Sequence, residues 1–272
     1  MFISEKLCYL EMHKTGSQHI AKLLSKYVKN GKRIGNHNRP SSEIYDSKRI
    51  FLGSIRNPWD WYASLWSFGC IKRGFLYGRL TGKKIYYNSI GFKTKPILSP
   101  YIFFQQFFKP LKKWQFLYSD EKNINNFRTW LKLLLSNKRK YDSGDGFGLS
   151  SLNKFTGLMT YRYIVLYSKN IKEIYKNSIT NFEQLKNYDD KNNVLNYTLR
   201  TESLEKDFIS FIKTLKIDIN KNDEAMILNL EKTNTSLRKN SIIDLFDEEC
   251  LNLIEDRERL VIEKYRYKKP IM

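Results

Sequence analysis

Cysteine, histidine and acidic residues are the scarce types in this 272-residue chain, and each shortage narrows what the chain can be. Its three cysteines, Cys8, Cys70 and Cys250, share no repeated spacing. That excludes a disulfide framework and a cysteine metal knuckle, so reduced thiols are expected. No cluster with metal-ligand spacing is visible, and no metal is expected. Six prolines and thirteen glycines are few for this length, which leans toward helix. No apolar run approaches ~20 residues, so no integral membrane segment is expected. The first residues lack a basic-then-apolar signal pattern, and a cytoplasmic location is the expectation. The apolar groups at 101–108 and 158–167 carry polar breaks and read as buried helices or strands.

Hydrophobic residues make up 41% of the chain and aromatics 15%, enough for a real core and too much for a disordered polymer. The length suits one large domain, or one core with an elaborated second half. Lys and Arg outnumber Asp and Glu 48 to 28, a formal net charge of +20. Nucleic-acid binding, a pocket for several phosphate or sulfate groups, and a compositional bias on solvated faces all fit that number. The basic residues are dispersed and no nucleic-acid motif is present, so no nucleic-acid partner is expected. The oligomeric state is left open.

Leu7-Cys8-Tyr9-Leu10, within Lys6 to Met12, reads as a first strand, and Gly16-Ser17 breaks it. Gln18 to Val28 reads as a helix, a short strand follows near Lys32-Arg33-Ile34, and Gly35 to Pro40 is loop. Ser41 and Ser42 suit the cap of a short helical turn. Arg49 to Ile55 is the next strand. Pro58 then opens a helix, where its missing N–H costs nothing. Strand–loop–helix twice within the first 70 residues points to βαβ units and a parallel sheet, with ligands beyond the strands' C-terminal ends. Further on, Tyr101 to Leu117 and Phe127 to Leu135 read as helices, and Asn153 to Tyr167 is ambiguous. Val194 to Leu199 reads as a late strand, with a helix start at Thr201 to Glu205. Leu230 to Asn240 reads as a polar connector, and Ile242 to Tyr265 as one long helix or a pair.

Two segments carry chemistry. In Glu11-Met12-His13-Lys14-Thr15-Gly16-Ser17-Gln18-His19, the N–H groups that open a helix favour an anion. Gly16 lets the backbone approach a ligand, Ser17 adds a hydroxyl, and Lys14 adds a mobile charge. The Walker pattern fails, because Lys precedes Gly and no Gly stands upstream. In Arg56-Asn57-Pro58-Trp59-Asp60-Trp61-Tyr62-Ala63-Ser64, Arg56 offers a rigid fork matched to phosphate, and roughly two helical turns carry Ser64 toward it.

Lys-Thr-Gly-Ser after an N-terminal strand, then a strand leading into Arg-Asn-Pro with Ser eight residues after the Arg, resembles the sulfotransferases that use 3′-phosphoadenosine 5′-phosphosulfate (PAPS). Asn-Pro-Trp-Asp-Trp-Tyr and the tail look most like bacterial-type glycan sulfotransferases. The resemblance covers residues 7–66 best, extends over 190–268, and is faint between. It implies a three-layer α/β P-loop-NTPase-like fold: a central parallel sheet flanked by helices, with a largely helical substrate-binding insertion. Residues 1–272 would form a single domain. Its parts would be a βαβ core over 1–70, an acceptor-binding excursion over about 71–165, and the late strand, closing loop and C-terminal helix over 185–272.

The same resemblance assigns Lys14, Thr15, Gly16, Ser17, Gln18 and His19 to the phosphosulfate. It assigns Arg56 and Ser64 to the 3′-phosphate, with Arg238 and Lys239 from the final loop beside them. The implied reaction moves a sulfuryl group from PAPS to a hydroxyl of a glycan or other acceptor, leaving 3′-phosphoadenosine 5′-phosphate. Lys14 would stabilise the leaving oxygen. His37, in the loop after the short strand, is the leading base or substrate ligand. Glu11, Asp145 and Glu202 are carboxylate alternatives, and Glu11 also suits a loop-holding role. Rival readings are another nucleotide-phosphate transferase or kinase, a polyanion-binding non-enzyme, and a sulfotransferase fold without turnover.

Overall fold

The computed structural model describes residues 1–85, 93, 95, 97, 99–230 and 242–271. The chain divides into two units. One comprises Met1–Asn57, Tyr163–Lys169 and Asn192–Thr235, the other Pro58–Arg162, Asn170–Lys191 and Ser236–Met272. The strands are β1 (Phe2–Ile3), β2 (Leu7–Tyr9), β3 (Lys32–Arg33), β4 (Ile50–Ile55) and β5 (Tyr197–Arg200). The helices, in chain order, are α1 (Ser17–Tyr27), α2 (Ser42–Tyr45), α3 (Pro58–Cys70), α4 (Phe75–Thr81), α5 (Ser99–Phe107), α6 (Leu111–Leu117) and α7 (Ile124–Leu134). They continue with α8 (Leu158–Tyr167), α9 (Phe182–Asn192), α10 (Leu204–Thr214), α11 (Lys221–Leu228), α12 (Ile242–Leu245), α13 (Glu248–Arg257) and α14 (Arg259–Tyr265).

The first unit holds a five-stranded mixed sheet in the order β3-β1-β2-β4-β5. β2, β4 and β5 run parallel, with Cys8 beside Phe51 and Gly53 beside Thr198. The sheet is mixed rather than parallel throughout because β1 is antiparallel to both β2 and β3. A tight turn causes this: the Ser4 N–H bonds the Leu7 carbonyl at 2.8 Å, and the Leu7 N–H bonds Ser4 Oγ at 3.1 Å. A hairpin that short can only pair antiparallel strands. The expected first strand is therefore the second, and two residues, Phe2 and Ile3, are too few to show alternation in the sequence.

Leu7, Cys8 and Tyr9 are all fully buried, as a parallel-sheet strand covered on both faces should be. Ile20, Leu23 and Leu24 of α1 join Leu7, Tyr9 and Leu52 in one apolar cluster with Leu204, Phe208 and Ile212 of α10. Their i, i+3, i+4 spacing is what places one helix face on the sheet. The late strand starts at Tyr197 rather than Val194, whose N–H is spent on the Tyr167 carbonyl at 2.9 Å.

The second unit is helical and holds all five tryptophans, each fully buried. Trp66 lies 5.3 Å from Phe127, and Phe127 lies 5.0 Å from Phe246, both edge-on. Buried indole N–H groups need acceptors. Trp59 finds Leu251 O, Trp66 finds Leu117 O, Trp114 finds Asp142 Oδ2 and Trp130 finds the Tyr118 hydroxyl. The stretch Tyr101 to Leu117 is two helices, because Pro110 has no N–H and disfavours helix at Lys109. Ile242 to Tyr265 is three helices. Asp247 restarts the chain by accepting the Cys250 N–H at 2.8 Å, and Glu258 interrupts it again between α13 and α14. The aromatic group at 101–108 is largely exposed, not buried.

Candidate functional site

The loops that follow β2, β4 and β5 meet at the C-terminal edge of the three parallel strands, all within the first unit. After β2 the chain turns through Glu11 to Gly16 and enters α1. Lys14 has φ 62° and Gly16 has φ 74°, while Thr15 between them is not in the positive region. Alternation of sign along successive residues turns backbone N–H groups toward one concavity, an anion-binding arrangement. Gly16 is the N-cap of α1, without a side-chain cap. The first intrahelical bond is from Ile20 N–H to Gly16 O at 3.0 Å, so the N–H groups at 17 to 19 precede the helix's own ladder. A methyl group at Gly16 would meet Leu204 at 3.7 Å, an ordinary contact, so the demand for glycine here is conformational.

Thr15 is fully buried and spends its hydroxyl inward. It donates to Met12 O at 2.9 Å and lies 2.7 Å from Ser54 Oγ, which lies 3.0 Å from the Tyr9 hydroxyl. One proton per hydroxyl orders the chain: Tyr9 donates to Ser54, Ser54 to Thr15, and Thr15 to the Met12 carbonyl. Burial pushes the Tyr9 phenol well above its ordinary value, so it stays a donor. The Tyr167 hydroxyl accepts from Ser54 N–H at 3.0 Å and donates to Ser54 O at 2.7 Å. This buried network ties the turn after β2 to the C-terminal end of β4. The side chain of Thr15 therefore shapes the loop, and only its N–H faces the ligand question.

Arg56 reaches the cradle directly, with Nη1 donating to the Lys14 carbonyl at 3.1 Å. The next N–H, of Asn57, donates to Glu202 Oε1 at 2.6 Å, and the Thr201 hydroxyl donates to Ile55 O at 2.9 Å. These two bonds fasten the end of β5 to the end of β4. Glu202 is thereby engaged as a backbone acceptor. His19 is buried, with Nε2 3.7 Å from Glu205 Oε1 at the start of α10.

His37 stands in a loop where Gly35 has φ 59° and His37 itself φ 56°. Its ring stacks on His13, centroids 3.8 Å apart and 16° between planes. Nδ1 lies 2.8 Å from Glu11 O. A carbonyl only accepts, so Nδ1 is the nitrogen that carries a proton toward it. Glu11 itself is fully buried and held by Arg33 as a fork, Nε to Oε1 at 2.8 Å and Nη2 to Oε2 at 2.6 Å. That geometry suits a loop-holding role for Glu11. In the second unit, Asp145 pairs with Arg162 at 3.1 Å and accepts from Ser143 at 2.8 Å.

The structure thus brings Lys14, Thr15, Gly16, Ser17, Gln18, Arg56 and His37 into one unit around one loop. Ser17 is mostly buried and Gln18 exposed. Ser64 is buried in α3 of the second unit. Arg238 and Lys239 lie outside the described residues, as does most of the 230–240 connector. Sequence reasoning missed the Tyr9–Ser54–Thr15 chain and the stacking of His13 on His37. Only the pairing register of β2 with β4 could have shown the first. Among the described residues, no three His, Cys, Asp or Glu side chains are grouped as a metal site needs, and no helix is long and apolar enough to cross a membrane. Comparison with protein-family models, curated proteins and solved structures gives no match.

Proposed function

We propose that this chain is a PAPS-dependent sulfotransferase of P-loop-like architecture acting on a hydroxyl of a glycan or related acceptor. The observation that carries the reading is the cradle after β2: Lys14 and Gly16 in the left-handed region, the α1 N-terminus behind them, and Arg56 bonded to the Lys14 carbonyl. The residues fit an anion. Backbone N–H groups at 15 to 18 and the Ser17 hydroxyl would hold the 5′-phosphosulfate, and the Lys14 amine would neutralise the bridging oxygen as it takes up charge. The Arg56 guanidinium would take the 3′-phosphate, with Ser64, Arg238 and Lys239 joining through the family resemblance alone. Bound PAPS supplies the sulfuryl group. His37 Nε2 would accept the acceptor hydroxyl's proton, with the Glu11 carbonyl stabilising the imidazolium at Nδ1.

Calorimetric titration with adenosine 3′,5′-bisphosphate and with ADP tests the donor half. The bisphosphate should bind better than ADP, and R56A should lose that preference by roughly tenfold or more, the worth of a charge-assisted phosphate contact. K14A should depress sulfate transfer to an oligosaccharide mixture far more than bisphosphate affinity. Equal binding of the two nucleotides by the native chain would refute the 3′-phosphate assignment and leave a generic phosphate-binding transferase.

A further inference from the structure

Helix α5 is amphipathic in the wrong sense. Its inward stripe is Ile102 and Gln106, continued by Lys109, with Gln106 only 6% and Lys109 only 7% exposed. The Lys109 amine donates to the Arg79 carbonyl. The outward face is Phe103, Phe104 and Phe107, continued past the helix end by Phe108, with Phe104 at 60% and Phe108 at 75% exposure. Phe116 on α6 is exposed as well. A run of exposed phenylalanines above a buried glutamine and lysine is not a solvated surface helix, and apolar patches of this kind mark interaction sites.

Charge identifies the partner. Between Asp60 and Asp120 the chain has no acidic residue but ten Lys and Arg. Lys112 and Lys113 are exposed on α6, just beyond Pro110. On the other side, a cavity of about 600 Å³ is lined by Tyr101, Gln105 and Phe108 together with Lys138, Arg139 and Lys140. Arg139 Nη1 donates to the Phe108 carbonyl at 3.3 Å, so basic strip and aromatic face are contiguous. The acid beside them, Asp142, is buried; it accepts from Trp114 Nε1 at 2.8 Å and pairs with Arg139 Nη1 at 3.9 Å.

We propose that the outward face of α5 docks this protein on an anionic lipid surface, the phenylalanines entering the headgroup boundary and the Lys138–Lys140 strip holding lipid phosphate. An apolar helix face with basic shoulders is the pattern of interfacial helices. A second copy is disfavoured, because it would oppose two acid-free basic stretches. Nucleic acid is disfavoured by ring packing: Phe103 meets Phe107 at 5.0 Å and 77°, and Phe104 at 6.5 Å and 79°. Rings engaged edge-on with one another form a ridge, not the separated flat faces on which bases stack.

The test is flotation of the full chain with vesicles of phosphatidylcholine alone and of phosphatidylcholine mixed with phosphatidylglycerol. Binding should be confined to the anionic vesicles and weaken with salt. F104D/F107D should lower partition by roughly tenfold or more at unchanged circular dichroism, from the lost apolar burial. F107W should show emission quenched by brominated lipid acyl chains. Four results would overturn the proposal: no flotation, flotation indifferent to F104D/F107D, a dimer abolished by that variant, or an oligonucleotide affinity abolished by it.

Discussion

Glu258 is a carboxylate buried without a cationic partner among the described residues, and it should make the stability of this protein fall as pH rises through neutrality. It sits between α13 and α14 and is fully buried. Oε1 accepts from the Tyr62 hydroxyl and from Met159 N–H at 3.1 Å, and Oε2 accepts from Thr160 N–H at 2.7 Å. It thereby caps the first turn of α8 from a distant part of the sequence. Burial raises its pKa from 4.5 to about 7, against the pull of those hydrogen bonds. The folded chain therefore keeps the proton up to about pH 7, and the unfolded chain gives it up near 4.5. Across that window the folded state binds more protons, so stability declines with rising pH. At 1.36 kcal/mol per pH unit the decline reaches about 3 kcal/mol and is complete above the folded-state value.

The other titrating groups cancel in a comparison with E258Q. Glutamine keeps the volume and one acceptor. With its oxygen serving Tyr62 and Met159, its amide nitrogen faces the Thr160 N–H, a fixed loss of about 1–3 kcal/mol at every pH. The native chain should therefore exceed E258Q in stability most at acid pH, and the margin should shrink by about 2–3 kcal/mol between about pH 5 and pH 8. Urea unfolding followed by tryptophan emission measures it, since all five tryptophans are buried in the same unit. Parallel stability curves for the two proteins would refute the reasoning, for they would mean that Glu258 titrates alike folded and unfolded.

Two further substitutions probe features close to these. A Cβ at Gly157 would lie 1.9 Å from Glu258 Oε1, so G157A must expel the cap or move the helix; chemical denaturation should show a loss of about 3 kcal/mol or more, and a loss under 1 would contradict the packing. At Gly16 a Cβ would make only an ordinary contact with Leu204 at 3.7 Å, and φ 74° is what disfavours a side chain. G16A should cost about 1 kcal/mol in unfolding free energy and weaken bisphosphate binding in calorimetric titration.

The strand–loop–helix units were legible because their signals are local. Gly16 and Pro58 mark helix starts by their own backbone chemistry, and Ile20, Leu23 and Leu24 show the buried face of α1 by spacing. What stayed hidden depended on partners far away in sequence. Ser54 is an unremarkable residue in an apolar strand until β2 and β4 pair and set it between Tyr9 and Thr15. Glu258 reads as one more surface charge in a helical tail, and only the approach of α8 reveals it as a cap. The 101–108 group was misread for a different reason. Its apolar residues are the outward ones, and the stripe that turns inward contains Gln106 and Lys109, so hydrophobic pattern and burial are inverted there.

The restraint on Lys14 says most about the cradle. A lysine at φ 62° costs about 1 kcal/mol that glycine or asparagine would avoid. Here the strain is held from two sides. The Thr15 hydroxyl pins the turn to Met12 O, and Arg56 pins the Lys14 carbonyl itself. Strain that the surroundings hold in place belongs with a site whose geometry matters. Arg56 contributes twice under the proposed function: its guanidinium fixes the backbone that aims the Lys14 amine, and it offers charge to a second phosphate. The first task is visible in the bond at 3.1 Å, and the second is what the bisphosphate-against-ADP comparison measures.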